Sequence, residues 1–538
     1  MLKALELENF KAFGKRTRIE FAPITLIFGE NSAGKSSILQ ALNLLKQTRE
    51  SREHGALLLP RTENGIVDLG SYQELLFDHD LNRDLSIRVD FEAQRDMVTD
   101  NNPNASQGME FRFTRRDEKD EIHLDAISLI NSDVGGQVAV FTPDLPTRKQ
   151  ASSVMREVIK KRARAMVYDE QFPPRRSKRT FARCCWVTEN EDLWKRHFEL
   201  AKDNSKRINR SLQVTKRRLE SDDRFEVNDN DKDIKERLKE LEAAIEFYRS
   251  DFQYEDFVNR MRNGELSAVV ELDGFVPTKR VDDGLPELST SQRVVIPRHE
   301  RESTVNIARL AIRSGMRLDR VLESIYPMGP FRRPPERWYI FTGTSPQDVG
   351  YRGDLLPDLL FRSPDLVSEA NEWLANLEIG YQIEVRDVGL RSSDLFEVRL
   401  IDTRRGKKID VALTDVGFGI SQILPFIVQS LAGEKQIITI EQPEVHIHPR
   451  LQADLGDLLA SAIETRENRF VIETHSEHLV LRMQRLIREG KLDPKDLSVI
   501  YVSRHEEGSL AQRLHLDQDG DFIDEWPGGF FPERLKEI

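Results

Sequence analysis

The residues best suited to chemistry are Gly29, Gly34, Lys35 and Ser36, in the run FGENSAGKSS from Phe28 to Ser37. They fit the spacing G-x-x-x-x-G-K-[ST], in which backbone amides cradle phosphate oxygens. Glycine is needed where a Cβ would keep the backbone from the phosphate. Glu30, Asn31, Ser32, Ala33 and Ser37 complete the cradle. Lys35 has the reach for β- and γ-phosphates, and the Ser36 hydroxyl is a ligand for Mg²⁺. The flanks support the motif. The apolar run Ile24 to Phe28 predicts a strand, and Ile38, Leu39, Leu42 and Leu45 share one helical face. The N-terminus of that helix adds the positive end of its dipole.

A phosphate loop needs an acidic strand end to hold its metal. IITIEQPEVHIHP, Ile437 to Pro449, places Glu441 at the end of an apolar strand, with Gln442 and Glu444 beside it. In RFVIETHSEHL a second strand ends at Thr474, His475 and Ser476. A histidine there can contact a γ-phosphate or polarise water. Upstream, the small residues of LTDVGFGISQ, Leu413 to Gln422, suit close backbone approach to a phosphate. Most of the chain separates Lys35 from Glu441, so the two halves of the site must meet across a large insertion.

The elements that position these residues follow from patterning. Leu2 to Leu7 and Thr17 to Phe21 alternate as strands, and short alternating segments between about 85 and 142 predict antiparallel strands. From about 148 the character changes. Segment 148–183 carries twelve Lys or Arg against three acids, a local net charge of +9, with Tyr168, Phe172 and Phe181 interleaved and Trp186 just beyond. Nucleic-acid contact, partner docking and a solvated face all fit this stretch. Segments 190–220 and 232–263 read as a helical hairpin or short coiled coil, 266–300 as loop-rich, and 300–325 as helix. Strands return at YQIEVRDV, LFEVRLID and KIDVALTD, and strand and helix alternate to the end. The division is therefore 1–147, an N-terminal lobe with the phosphate loop; 148–325, a mostly helical insertion; and 326–538, a C-terminal lobe.

Composition narrows the classes. Of 538 residues, 32% are charged and 38% hydrophobic, and the formal net charge is −12. That opposes coating nucleic acid with the whole surface, though not a local basic patch. The two cysteines, Cys184 and Cys185, are adjacent and form neither a disulfide framework nor a zinc site. No stretch is apolar enough for a membrane span, and MLKALELENF lacks a signal-peptide core. A cytoplasmic protein without membrane contact is expected.

The order of these motifs resembles the ABC-type ATPase heads of the SMC, RecF and OLD group, across about 1–90 and 330–538. The resemblance implies an α/β fold: a split ABC-type P-loop ATPase head with an inserted mostly helical domain. It implies ATP and Mg²⁺, with Gly29–Ser37 as Walker A and Glu441 with Gln442 as Walker B and catalytic position. Ser36 and Glu441 would hold the metal. Thr414 and Gly417 of LTDVG match the signature that meets the γ-phosphate of a partner head, so a homodimer or higher assembly with composite sites is implied. His446 to Pro449 occupies the D-loop place, and His475 matches the switch histidine. Lys11 and Phe13 match a segment that often lies near the nucleotide, and Gln73 is a candidate for the Q-loop. DVGFGISQILP, EQPEVHIHP, ETHSEHLVLRMQRLI and WPGGFF further resemble the ATPase subunits (PtuA) of Septu-type and retron-associated anti-phage systems. In that family the partner is an HNH nuclease, and a retron DNA–RNA hybrid is a possible ligand for 148–183. The alternative is a stand-alone RecF-like repair ATPase that clamps DNA; a compact transport ATPase is disfavoured by the insertion.

Two departures from the group's pattern matter. Most such heads have Asp-Glu where Glu441 and Gln442 stand. Gln cannot accept a proton, and a general base contributes about 10²–10⁴-fold, so slow hydrolysis is expected unless Glu444 supplies the base. The chain also lacks room after His475 for the metal-dependent nuclease domain of OLD enzymes. Asp517, Asp519 and Asp521 read as a strand-end turn, so the chain is not expected to cut nucleic acid itself.

Overall fold

The computed structural model describes residues 1–51, 57–63, 65–92, 107–115, 122–131, 136–144, 180–186, scattered positions within 195–258, then 268–281, 298–341, 343, 345–388, 394–404 and 409–527. Its centre is a mostly parallel sheet. β3 (Ile24–Gly29) pairs on one side with β17 (Arg469–Glu473) and on the other with β18 (Leu497–Ser503). β16 (Ile437–Glu441) and β11 (Ile325–Met328) continue beyond β17, and β19 (Leu510–Leu514) closes the far edge antiparallel. The order is β11-β16-β17-β3-β18-β19.

Both faces of this sheet are buried, which is why its strands read as apolar runs rather than as alternation. Ile27, Ile437, Val471 and Ile500 join one core, with the helix α1 (Lys35–Glu50) and α2 (Arg298–Glu323). Leu26, Phe28, Ile438, Ile440, Phe470 and Ile472 join the other core. There they meet α3 (Phe418–Ala432), α4 (Pro449–Arg466) and α5 (Glu477–Arg488). A small sheet of β12 (Tyr339–Ile340), β14 (Leu395–Asp402), β13 (Tyr381–Asp387) and β15 (Ile409–Ala412) packs into the second core through Ile383, Phe396 and Leu400. The strands expected at YQIEVRDV, LFEVRLID and KIDVALTD are these.

The first core is roofed by an antiparallel sheet. β1 (Leu2–Glu8) lies between β2 (Thr17–Glu20) and β4 (Leu85–Phe91). β5 (Gly108–Arg115), β6 (Ile122–Asn131), β7 (Gly136–Asp144), β8 (Thr180–Trp186), β9 (Ala268–Asp273) and β10 (Val276–Val281) follow in order. Here the sequence expectation needs correction. β8, β9 and β10 come from the stretch assigned to a mostly helical insertion, and 268–281 is a hairpin, not loop. Val270, Leu272, Phe275 and Val276 explain this, because all four are buried in the first core.

The helical hairpin is present. Described positions between 195 and 258, Gln253 excepted, are helical, and the Lys216 ammonium meets Glu242 at 2.6 Å between the arms. Phe198 and Tyr254 pack edge-to-face at 5.3 Å, and the pair joins the first core at the hairpin's root. The basic stretch 148–179 lies outside the described residues. Asp517 forms the expected turn, its carboxylate accepting from the Asp519 and Asp521 amides at 2.9 Å. Among the described residues, no helix is long and apolar enough to cross a membrane.

Candidate nucleotide site

Gly29 ends β3, and α1 starts at Lys35 with no side-chain cap; the Ser37 amide donates to the Gly34 carbonyl at 3.1 Å. Gly29 has φ +140°, and a Cβ there would lie 2.0 Å from the Val502 carbonyl oxygen. Gly34 has φ +93°, and a Cβ would sit 2.5 Å from the Ala12 methyl. Both glycines are thus demanded by the backbone and by neighbours. The Ala12 contact brings the 9–14 turn against the loop. Phe13 is fully buried there, while the Lys11 ammonium turns to the Leu69 carbonyl at 3.5 Å. Gln73 is exposed on the short helix Tyr72–Leu75, with its carbonyl 3.0 Å from His79 Nδ1.

The Lys35 ammonium donates to the carbonyls of Gly29 (3.1 Å) and Glu30 (2.8 Å). Burial lowers its pKa, opposed by Glu473, Glu30 and Glu444 nearby. From outside, the Arg504 guanidinium donates to the Asn31 carbonyl at 3.0 Å and the Ser32 carbonyl at 3.2 Å, bracing the loop's crest.

Three carboxylates lie in the neighbourhood, although among the described residues no group of three or more His, Cys, Asp or Glu is gathered closely enough to hold a metal ion by itself. Glu441 and Glu473 end neighbouring strands as register partners. By strand parity both point to the sheet face that carries α1. Burial, then the Glu473 charge, pushes the Glu441 carboxyl up to about 7, while Arg332 and the Tyr351 hydroxyl oppose the rise. Glu473 is 4% exposed and lies beside the Ser36 hydroxyl and Lys35; burial raises its pKa as well. Glu444 follows in the turn after β16. One of its oxygens accepts the His475 amide at 2.6 Å, and the Thr474 hydroxyl lies alongside; burial raises its pKa. Desolvation and the Lys35 charge lower the pKa of the His475 imidazole, which favours its neutral form.

A second layer fixes these groups. Ser476 caps α5 by accepting the Leu479 amide at 3.2 Å, and its hydroxyl donates to Gln452 Oε1 at 2.8 Å. Gln452 Nε2 donates in turn to the Ile447 carbonyl at 3.0 Å and the Glu444 carbonyl at 3.3 Å. One amide on α4 thus ties the turn holding Glu444 to the turn holding His475. Gln442 has φ +45°, and its amide donates to the Glu473 carbonyl at 2.8 Å, extending the β16–β17 ladder by one bond.

The LTDVG segment occupies a different edge. Arg337 pairs with Asp415 through two hydrogen bonds, at 2.6 and 3.0 Å, and Thr414 donates to the same carboxylate at 3.2 Å. Gly417 is exposed with open space on its Cβ side, and a Cβ at Gly419 would meet the His446 carbonyl at 2.8 Å. The start of α3, just after LTDVG, therefore lies against the turn that holds His446. Both flank an open groove of about 390 Å³ that also takes in Ile379, His448 and Arg450.

The sequence reading missed Glu473, Arg332, Tyr351 and Arg504. Glu473 had a signal, an acidic residue ending an apolar strand immediately before Thr474. The other three lie in segments with no periodicity.

Phosphate and metal fit what is left open. Among the described buried atoms, Glu444 Oε2, Glu473 Oε2 and Arg332 Nε have no hydrogen-bond partner. Two carboxylate oxygens without a donor suit a cation or water, and a guanidinium N–H without an acceptor suits a phosphoryl oxygen.

Fold and loop together define a P-loop ATPase head whose two halves are joined across an insertion. The chain belongs to the AAA ATPase domain family, whose model matches residues 1–287 and 362–480. ATP is the nucleotide that this membership implies. Short stretches are similar to SMC and RecF proteins. The match to the chromosome partition protein Smc of Rhodopirellula baltica is 54% identical over 43 residues, 8% of this chain and 4% of that protein. The match to the DNA replication and repair protein RecF of a Cyanothece species is 37% identical over 68 residues, 12% of this chain and 18% of that one. The chain thus spans less than a fifth of either relative. Among solved structures, the Smc head of Pyrococcus furiosus bound to the C-terminal domain of ScpA aligns over 96% of both chains, at 12% identity and a TM-score of 0.35. The Smc head of Thermotoga maritima aligns over 96% of this chain and 99% of its own, at 10% identity and a TM-score of 0.33.

Proposed function

We propose that this chain is the ATP-binding subunit of a bacterial anti-phage complex, and that its nucleotide state controls a partner nuclease. The observation that carries the nucleotide half is the approach of Glu473 to Ser36 and Lys35, with Glu444 also acting on Lys35 and Glu441 in register with Glu473. In this reading the loop amides and Lys35 hold the β- and γ-phosphates. Ser36 and Glu441 hold Mg²⁺, with Glu473 beside Ser36 as a further ligand or water anchor. The metal supplies charge neutralisation on the phosphate oxygens. Thr414 and Gly417 face the γ-phosphate of a second copy, which makes each site composite.

Glu444 is the proton acceptor we favour. Gln442 can orient water but takes no proton. Glu444 has one oxygen fixed by the His475 amide and one without a partner, next to Lys35. Burial raises its pKa from the ordinary carboxylate value, the direction that suits a general base. Neutral His475 accepts or donates one hydrogen bond at the γ-phosphate end.

The defence half rests on the resemblance of the motifs around Gly417, Glu441, His475 and Trp526 to Septu-type ATPase subunits. An HNH-type nuclease is the implied partner, and 148–183 is the implied contact for nucleic acid or a retron DNA–RNA hybrid. The chain itself would not cut nucleic acid, and its compartment would be the cytoplasm. Two experiments test the reading. Lys35→Ala should abolish ATP binding; wild-type affinity would remove the loop from the site. Co-expression with the neighbouring genes should recover a nuclease-bearing complex; a homogeneous ATPase that clamps DNA alone would favour the RecF-like alternative.

A further inference from the structure

We infer that Arg332 is an intrinsic ligand of the terminal phosphate, supplied to the site by its own chain; this rests on the ATPase reading above. β11 runs parallel beside β16, and the chain leaves it through Gly329 into the segment that carries Arg332. Lys35 and the loop amides belong to β3 at one side of the site. Arg332 arrives from the other side, across β17 and β16. A triphosphate held by the loop at β3 directs its far end towards that side.

The side chain is built in rather than draped. Arg332 is 6% exposed, and its Nη1 donates to the Gly329 carbonyl. The segment is pinned by the Gly329 amide on the Tyr351 carbonyl at 2.9 Å and the Arg333 amide on the Arg352 carbonyl at 2.8 Å. A Cβ at Gly329 would fall 2.6 Å from the Tyr351 ring, so that ring would have to shift to admit one. A buried guanidinium costs several kcal/mol unless it is paired. Glu441 and Glu444 are close enough to act on its charge. Yet Arg332 Nε closes on neither, and Glu444 Oε2 and Glu473 Oε2 stay unpartnered as well.

A simple counter-ion would have collapsed onto one of those carboxylates. The pattern found instead is one unfilled donor near Glu444, whose Oε2 is also unfilled, with Lys35 acting on Glu444 and on the unfilled Glu473 beyond it. An anionic oxygen answers Arg332, and a cation or polarised water answers the two glutamates. The terminal phosphoryl group with its metal and attacking water supplies all three. Arg332 then adds positive charge where negative charge moves during cleavage, with no partner molecule needed to bring it.

Titration of the full chain with a non-hydrolysable ATP analogue and with ADP, both with Mg²⁺, tests this on wild type, Arg332→Ala, Arg332→Lys and Lys35→Ala. Arg332→Ala should weaken the triphosphate by about 10-fold or more. ADP affinity should stay within about 2-fold, because no terminal phosphate is present to lose a contact. Arg332→Lys should recover part of the difference. An equal loss for both nucleotides, or no loss for either, would overturn the inference and leave Arg332 a structural residue. Lys35→Ala separates the two levels: if it binds both nucleotides like wild type, the ATPase reading itself has failed. Should Arg332→Ala fail to fold, Arg332→Gln, which keeps a donor for the Gly329 carbonyl, carries the same comparison.

Discussion

Replacing Glu441 by Gln should stabilise the nucleotide-free protein above neutral pH. Glu441 ends β16 opposite Glu473, half-buried, with the Tyr351 hydroxyl as a polar neighbour. Its carboxyl is pushed from an ordinary 4.5 up to about 7. At about 1.4 kcal/mol per pH unit, ionising it in the fold costs about 3 kcal/mol more than in the unfolded chain. The folded state therefore holds the proton between pH 4.5 and 7 while the unfolded state has released it. Stability falls as pH rises through that window and flattens above it. Gln keeps the shape and carries no charge. In EDTA without nucleotide, Glu441→Gln should exceed wild type by about 2–3 kcal/mol at pH 8, with the difference shrinking towards zero near pH 5. In thermal melts that is a rise of several degrees. Mg²⁺ with ATP should raise the melting point of wild type more than that of the variant, because the metal then offsets the charge. A gain that is absent at pH 8, or equal at pH 5 and pH 8, would refute the reasoning.

Further outcomes follow from the same geometry. Gly29→Ala should cost about 2–5 kcal/mol, from positive φ and the clash with the Val502 carbonyl, and reduced soluble yield with a lowered melt would show it. Gln452→Ala breaks the link between the Glu444 and His475 turns; turnover should fall by about 1–3 kcal/mol in activation free energy while ATP affinity stays within a few fold, as steady-state and binding measurements would report. Reversing several arginines in 148–183 should weaken nucleic-acid binding and flatten its salt dependence, since each phosphate contact contributes about −0.9 to the slope on duplex DNA. An unchanged slope would assign that stretch to another role.

Much of the site was legible because its parts are local. The phosphate loop carries its own spacing and flanking elements, and Glu441, Glu444 and His475 each follow an apolar run. The central strands were legible for the same reason. What was hidden depends on pairing between distant segments. Arg332 lies in PFRRPPER, which looks like a proline-rich linker, and only the parallel pairing of β11 with β16 carries it to the site. Glu473 drew no assignment beside Thr474 and His475, and its meaning comes from register with Glu441. The β9–β10 hairpin offered a cue, Asp273–Gly274 between alternating apolar residues. The charged helical sequence around it drew the whole stretch into one helical insertion, although Phe275 and Val276 belong to the main core.

The most direct test of the account is single-turnover hydrolysis of ATP by wild type, Glu444→Gln and Gln442→Glu, with nucleotide binding checked for each. With Glu444 as the base, wild type turns over readily, Glu444→Gln binds ATP but slows by about 10²–10⁴-fold, and Gln442→Glu changes the rate little. A slow wild type that is indifferent to Glu444→Gln and accelerated by Gln442→Glu would contradict it, and would make the bound ATP a long-lived clamp between heads.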